Sequence, residues 1–293
     1  MPTIHELLRR PPVLFEGAMG TMLMARGLAA GRPGEHFTLE HPAIVADVHR
    51  AYLSAGAHVL KTNTFNGNSL RLAACGFGHD AVEACNRRGV AIALEQAGGA
   101  ALVAGSMGPL GRMLEPHGDV TREQAVDAFA AQAAILIDAG VDLLLVETMY
   151  DVREALAALE ACRAAGGVDR QRPVIVTLTV SRTPRGYFTM MGDRLEDSLR
   201  TLVGAGAFAV GANCTLSSAD MVDAARLLVG AVDAPILVQP NAGQPQVVGG
   251  ATVWPETAQE FAANIARIID LGVAMVGGCC GTTPAHLAAV SGR

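Results

Sequence analysis

The sequence predicts an α/β fold, a single (β/α)8 TIM barrel, from three observations. Eight short apolar runs recur along 293 residues, most of them flanked by alanine-rich stretches of helical composition. That is the pattern of parallel strands buried on both faces. Four of the runs follow a small residue and a glycine, the signal of a helix that stops and hands over to a strand. Three others open on proline, which a strand accepts at its first position and hardly elsewhere. The length suits a barrel, for which about 250 residues is typical. No linker, low-complexity tract or charge block divides the chain, so residues 1–293 read as one domain.

In chain order, Pro12-Val13-Leu14-Phe15 is the first strand and ends at Glu16. Ser54-Ala55-Gly56 closes a helix, and His58-Val59-Leu60 begins the second strand, which runs into Lys61-Thr62-Asn63-Thr64-Phe65-Asn66. The third, Ala101-Leu102-Val103-Ala104, leads to Gly105-Ser106-Met107-Gly108-Pro109. A helix from Arg122 to Ile137 precedes Asp138-Ala139-Gly140 and the fourth strand, Leu143-Leu144-Leu145-Val146, which ends in Glu147-Thr148. A helix from Asp151 to Ala165 precedes the fifth, Pro173-Val174-Ile175-Val176-Thr177. The sixth follows Gly204-Ala205-Gly206 and ends in Asn213-Cys214; the seventh, Pro235-Ile236-Leu237-Val238, ends at Asn241. A helix from Glu256 to Ile269 leads to the eighth, Val273 to Val276, which ends in Cys279-Cys280. The competing open sheet would carry Gly-x-Gly-x-x-Gly after its first strand. Glu16-Gly17-Ala18-Met19-Gly20-Thr21 has a different spacing, and a phosphate-binding P-loop is absent. In a barrel all these strand ends share one rim, where barrel enzymes keep their active sites.

Composition narrows the function. Hydrophobic residues make up 51% of the chain, enough for a large core and incompatible with wholesale disorder. A net charge of −6, with no basic cluster beyond Arg9-Arg10 and Arg87-Arg88, argues against nucleic acid as a partner. The longest apolar stretch, Ala128 to Met149, is broken by Asp138, Gly140 and Asp142, so no membrane span is expected. The first residues lack the apolar segment of a signal peptide. A cytoplasmic location and reduced thiols are therefore expected.

Among six cysteines, Cys75, Cys85 and Cys162 lie in helix-like stretches and read as ordinary core or surface thiols. Cys214, Cys279 and Cys280 sit at strand ends among glycines that let the backbone approach a bound ion. Together they read as a three-thiolate zinc (Zn2+) site, with structural thiols or a disulfide as the competing reading. Three protein ligands leave one tetrahedral position open, the arrangement of a catalytic rather than a closed structural zinc. His58, His117 and His286 fall at helix and loop positions and read as solvated or capping residues.

Phe15-Glu16-Gly17-Ala18-Met19-Gly20-Thr21, Thr62-Asn63-Thr64-Phe65, Gly105-Ser106-Met107-Gly108-Pro109, Asn213-Cys214, Gln239-Pro240-Asn241-Ala242-Gly243 and Gly277-Gly278-Cys279-Cys280-Gly281-Thr282-Thr283-Pro284 resemble the homocysteine S-methyltransferase family over nearly the whole chain. Within it they are most similar to the homocysteine-binding barrel of cobalamin-dependent methionine synthase. The resemblance implies zinc on Cys214, Cys279 and Cys280, with the sulfur of homocysteine as fourth ligand and methionine as product. It implies that Glu16 and Glu147 receive the substrate amino group, although Glu16 stands where Asp is usual and is one methylene longer. The substrate carboxylate is expected at backbone N–H groups around Ser106 and Met107, where a glycine-rich turn can form an anion-binding nest. Asn241 is expected to fill the fourth zinc position until substrate displaces it, and Asn63 and Asn213 to support the site.

The methyl donor stays open at this level. The Asp-x-His-x-x-Gly motif of corrinoid-binding domains has only a near match, Asp47-Val48-His49-Arg50-Ala51-Tyr52, without the glycine. Methylcobalamin would then come from a separate corrinoid protein or from another domain of a larger synthase. A small donor such as S-methylmethionine, S-adenosylmethionine or a betaine-like molecule is the alternative. A single tryptophan, Trp254, leaves little material for a cage around a quaternary ammonium group. A zinc barrel that binds thiols without turnover is the reading from outside enzymology.

Overall fold

Each of the four helix-to-strand glycines, Gly56, Gly140, Gly206 and Gly272, adopts a positive φ of 95–102°, a conformation that side chains with a Cβ resist. These turns reverse the chain between an outer helix and an inner strand in a computed structural model that describes residues 3–29, 31–166 and 172–292. The strands are β1 (Val13–Leu14), β2 (Val59–Lys61), β3 (Leu102–Met107), β4 (Leu143–Met149), β5 (Val174–Leu178), β6 (Ala209–Ser217), β7 (Ile236–Asn241) and β8 (Met275–Val276). Every pairing between them is parallel, in the order β1-β8-β7-β6-β5-β4-β3-β2. A parallel bridge from Phe15 to Val59 joins the two ends, so the sheet closes into a barrel.

The strands are buried on both faces, as their unbroken apolar runs require. Inside the barrel, Val13, Phe15, Val59, Leu143, Leu237 and Met275 form one cluster, and Ile4 of the short N-terminal helix Ile4–Leu7 packs with them. The alternating residues Leu14, Leu60, Leu144, Val176, Val238 and Val276 face outward into a second core beneath the helices. A principal helix follows each strand: Pro42–Ser54, His79–Ala97, Arg122–Asp138, Val152–Ala165, Leu195–Gly204, Ser218–Ala231, Ala258–Asp270 and Pro284–Ser291, with shorter helices also in the loops after β1 and β2. Thr121, Asp151, Ser217 and Thr257 cap four of them through side-chain oxygens. His58 and His286 take structural parts: His58 Nδ1 accepts the Leu14 N–H at 3.1 Å, and His286 Nδ1 accepts the Thr283 N–H at 3.2 Å at a helix start.

Two antiparallel hairpins, Ser181–Thr183 with Gly186–Phe188 and Gln246–Val248 with Ala251–Val253, extend the loops after β5 and β7. Neither shows in the apolar pattern. Among the described residues, no helix is long and apolar enough to cross a membrane.

Candidate metal and substrate site

Two bulges in the barrel wall shape the site. β4 and β5 keep register to Val146 opposite Val176 and resume at Met149 opposite Leu178; β6 and β7 keep it to Asn213 opposite Gln239 and resume at Ser217 opposite Asn241. The irregular segments contain Glu147-Thr148 and Cys214-Thr215, and bulges of this kind re-aim side chains. Thr148, Cys214 and Thr215 have φ of 65°, 62° and 48°, which costs a residue with a Cβ roughly 1–2 kcal/mol each. Asn213 holds the strained segments together. Its Oδ1 accepts the Thr148 N–H at 2.9 Å and the Thr177 hydroxyl at 2.8 Å, while its Nδ2 donates to Thr148 Oγ1 at 2.7 Å and to Cys279 Sγ at 3.8 Å.

The loop after β8 is fixed by its backbone. Cys279 N–H donates to Pro240 O at 2.8 Å, Ala242 N–H to Cys280 O at 3.0 Å, and the Thr282 hydroxyl to Cys279 O at 2.7 Å. Gly281, at φ 79°, lies so close to Trp254 that a Cβ there would sit 2.1 Å from the indole ring. The sulfurs of Cys214, Cys279 and Cys280 all fall within 4.8 Å of one another, with Cys214 and Cys280 3.9 Å apart and no disulfide between them. Zn–S bonds of about 2.3 Å in a tetrahedron place sulfurs about 3.8 Å apart, so this cluster fits a zinc ion after a small inward adjustment. Contact with the sulfurs of Cys279 and Cys280 holds the Cys214 thiol well below the ordinary thiol range, and the same contact with Cys214 pushes Cys279 and Cys280 up. One thiolate is thus stabilised by two thiols, and a cation is what lets all three ionise together. Asn241 adds a second mark of a missing partner, because its Oδ1 is buried without a hydrogen bond. The remaining cysteines stand apart: Cys85 and Cys162 are buried and Cys75 is half-buried.

The three cysteines line a cavity of about 350 Å3 together with Lys61, Asn63, Ser106 and Glu147. Glu147 is buried; its Oε1 accepts the Ser106 hydroxyl at 2.6 Å and its Oε2 accepts a long bond from Gln239 Nε2 at 3.4 Å. Burial raises its pKa, opposed by Lys61, whose Nζ lies 3.9 Å from Oε2, and by the Ser106 bond. Asn63 Nδ2 donates to Gly34 O and Thr38 Oγ1, both at 2.7 Å, tying the helix Gly34–Glu40 over the rim.

Not every expected residue reaches the cavity. Glu16 is fully buried behind it: the longer side chain reaches back to the helix Pro42–Ser54, where Oε2 meets His49 Nδ1 at 3.0 Å, and Oε1 has no partner. The same contact places His49, the histidine of the near match to a corrinoid motif, at zero exposure inside the fold. Met107 is also fully buried and packs outward, its Sδ accepting the Cys162 thiol at 3.6 Å. The Ser106 N–H donates to Thr62 Oγ1 at 3.0 Å and the neighbouring Gly108 N–H to Phe65 O at 2.7 Å, so the Ser106 amide of the expected nest is already committed.

Three residues of the site have no individual sequence signature. Lys61 ends β2 and Gln239 lies in β7, both inside stretches singled out in the sequence, but nothing there gave either residue a part of its own. Glu35 also lines the cavity, buried, its Oε1 accepting the Asn66 N–H at 2.7 Å, with burial raising its pKa. An acid in the first turn of a helix looks the same when it merely complements the helix dipole.

Known proteins resemble this chain over nearly its whole length. A family model described as homocysteine S-methyltransferase matches residues 13–293. The methionine synthase of Mycobacterium tuberculosis is 32% identical over 300 residues, spanning 98% of this chain and 25% of that protein, and the methionine synthase of Mycobacterium leprae is 32% identical over 98% of this chain and 24% of its own length. The chain thus spans about a quarter of these curated relatives. The crystal structure of the homocysteine methyltransferase MmuM from Escherichia coli, metallated form, superimposes with a TM-score of 0.81 at 26% identity over 98% of both chains.

Proposed function

The chain belongs to the homocysteine S-methyltransferase family, and from that premise we propose that it methylates the thiol of homocysteine to give methionine, with zinc held by Cys214, Cys279 and Cys280. The observation that carries this reading is the convergence of three sulfurs within 4.8 Å of one another on a cavity that also holds a buried carboxylate. Bound zinc would lower the pKa of an acceptor thiol, ordinarily near ~8.5, so that the sulfur is anionic at neutral pH.

The chain's own residues do the rest. Asn241, with a buried and unpartnered Oδ1 at the end of β7, suits the position that an entering sulfur would take over. Glu147 receives the substrate ammonium, since of the two acids that line the cavity, Glu35 and Glu147, it is the one beside the cysteines, and its oxygens retain accepting capacity. Glu16, turned toward His49, leaves that task to Glu147. Methyl transfer between sulfur and a methyl carrier is an in-line displacement that needs no general base at carbon, so the enzyme's contribution is to hold the nucleophile in line. A cavity of about 350 Å3 accommodates an amino acid. A methylcorrinoid carried by another domain or protein would face it from outside the rim, consistent with 32% identity to methionine synthases over nearly the whole chain.

Assay of methionine formation from homocysteine tests this, with methylcobalamin, S-methylmethionine, S-adenosylmethionine and betaine offered in turn to zinc-loaded protein. Product with methylcobalamin is the expected result. Product with a small donor alone would replace the corrinoid, and none with any donor, despite thiol binding, would support a thiol-binding role without turnover.

A further inference from the structure

Of the 22 lysines and arginines in this chain, only Lys61 is a lysine, and it is buried at the cavity with 7% of its surface exposed. Its ammonium donates to Gln239 Oε1 at 3.0 Å and to Gly278 O at 3.3 Å. An ammonium has three protons, and these bonds use two. Its ion-pair partner, Glu147 Oε2, lies 3.9 Å away, well beyond the 2.7–2.9 Å of a direct charge-assisted bond. Gln239 spans the pair, accepting from Lys61 and donating to Glu147 at 3.4 Å. The result is an ion pair held apart beside the cavity, each member with hydrogen-bonding capacity left over. Burying both charges is costly without further partners, and a zwitterion laid across the gap supplies one to each.

Resting on the reading of homocysteine as acceptor, we infer that Lys61 is a specificity-determining residue that receives the substrate's α-carboxylate, while Glu147 takes the α-ammonium. Two observations single it out. The Ser106 amide near the end of β3 and the Gly108 amide just beyond it donate to Thr62 Oγ1 and Phe65 O. Among the described residues that line the cavity, Lys61 is the one cation. A lysine suits the place because its compact charge and three rotatable donors serve two neutral oxygens and still present a proton to the substrate; the rigid planar fork of an arginine would not.

The test is binding of three thiols to zinc-loaded protein by calorimetry: homocysteine, 3-aminopropane-1-thiol, which lacks the carboxylate, and 4-sulfanylbutanoate, which lacks the amine. Lys61→Met should weaken homocysteine and 4-sulfanylbutanoate about 10- to 100-fold, the usual effect of losing a hydrogen bond to a charged group, and leave 3-aminopropane-1-thiol unchanged. Equal weakening of all three would overturn the assignment and leave Lys61 a structural role. A second measurement needs no substitution. Lysine labelled with 15N at the ζ position gives a single side-chain ammonium resonance in this protein. The two carboxylate-bearing thiols should shift it and 3-aminopropane-1-thiol should not; a shift by all three, or by none, counts against the proposal. If homocysteine fails to bind the wild-type protein, the acceptor reading falls and takes this one with it. If homocysteine binds but the discrimination is independent of Lys61, this one falls alone.

Discussion

Cys280 shows what single residues contribute here. Its sulfur lies 3.9 Å from that of Cys214, and its backbone carbonyl is fixed by Ala242, so a substitution that keeps its size changes the donor atom and little else. Cys280→Ser should drop the zinc content from about one equivalent to well below it after dialysis against a weak chelator, since oxygen of an alcohol is a poor substitute for thiolate. The barrel should stay folded by circular dichroism. Full zinc occupancy in the variant would remove Cys280 from the ligand set. The cysteines were legible because two are adjacent, all three end strands, and glycines surround them. Glu16 was not, because sequence gives a side chain's position but not its reach: one methylene more than Asp carries this carboxylate to His49. Lys61 and Gln239 escaped for the opposite reason. Each stands in a stretch that the sequence singles out, but makes its contacts with residues far along the chain, and no local pattern records those contacts.

At the scale of elements, the helix Val152–Ala165 carries a titrating contact with a measurable sign. Glu154 Oε1 accepts the Leu110 N–H at 2.6 Å, joining this helix to the loop after β3. Burial raises its pKa from 4.5 to about 7, against the lowering effect of that hydrogen bond. A raised carboxyl contributes stability that is complete below its unfolded pKa and is lost as pH rises through the folded one, here roughly 3 kcal/mol across the window from 4.5 to about 7. Glu154→Gln keeps an acceptor for Leu110 and cannot ionise. Urea unfolding of the variant should lose this part of the pH dependence and leave it more stable than wild type above about pH 7; parallel profiles for the two proteins would show that Glu154 is not the group responsible. The strands and principal helices could be read from the chain because their glycines and prolines mark both ends. The hairpins after β5 and β7 could not, since neither joins the barrel sheet and both lie largely in solvent, with Ser181, Arg182, Val247 and Val248 exposed.

For the whole molecule, closure is the property on which the site depends, because its residues come from opposite parts of the wall: Lys61 from β2, Glu147 from β4, Cys214 from β6 and Cys279-Cys280 from the loop after β8. Closure is uneven. β6 and β7 share five paired positions, whereas β1 meets β2 through the single bridge from Phe15 to Val59, with hydrogen bonds from Glu16 N–H to Val59 O at 2.9 Å and from His58 N–H to Leu14 O at 2.8 Å. His58 reinforces this joint, its Nδ1 accepting the Leu14 N–H at 3.1 Å. Partial burial lowers the pKa of His58, so its neutral ring contributes above the ordinary histidine range and that contribution disappears as pH falls through the lowered value. A protonated Nδ1 can no longer accept, and mild acid should unlatch the cylinder along this one line. Hydrogen–deuterium exchange at the Leu14 amide, corrected for intrinsic rate, should accelerate between neutral and mildly acidic pH while the β6–β7 amides stay protected; a Leu14 amide equally slow at both would mean the joint holds without the imidazole. Because Lys61 ends one stave of that joint and Glu16 follows the other, acid would spread the very staves that carry Lys61 to the cavity, and the grip proposed for that lysine would loosen before the barrel unfolds.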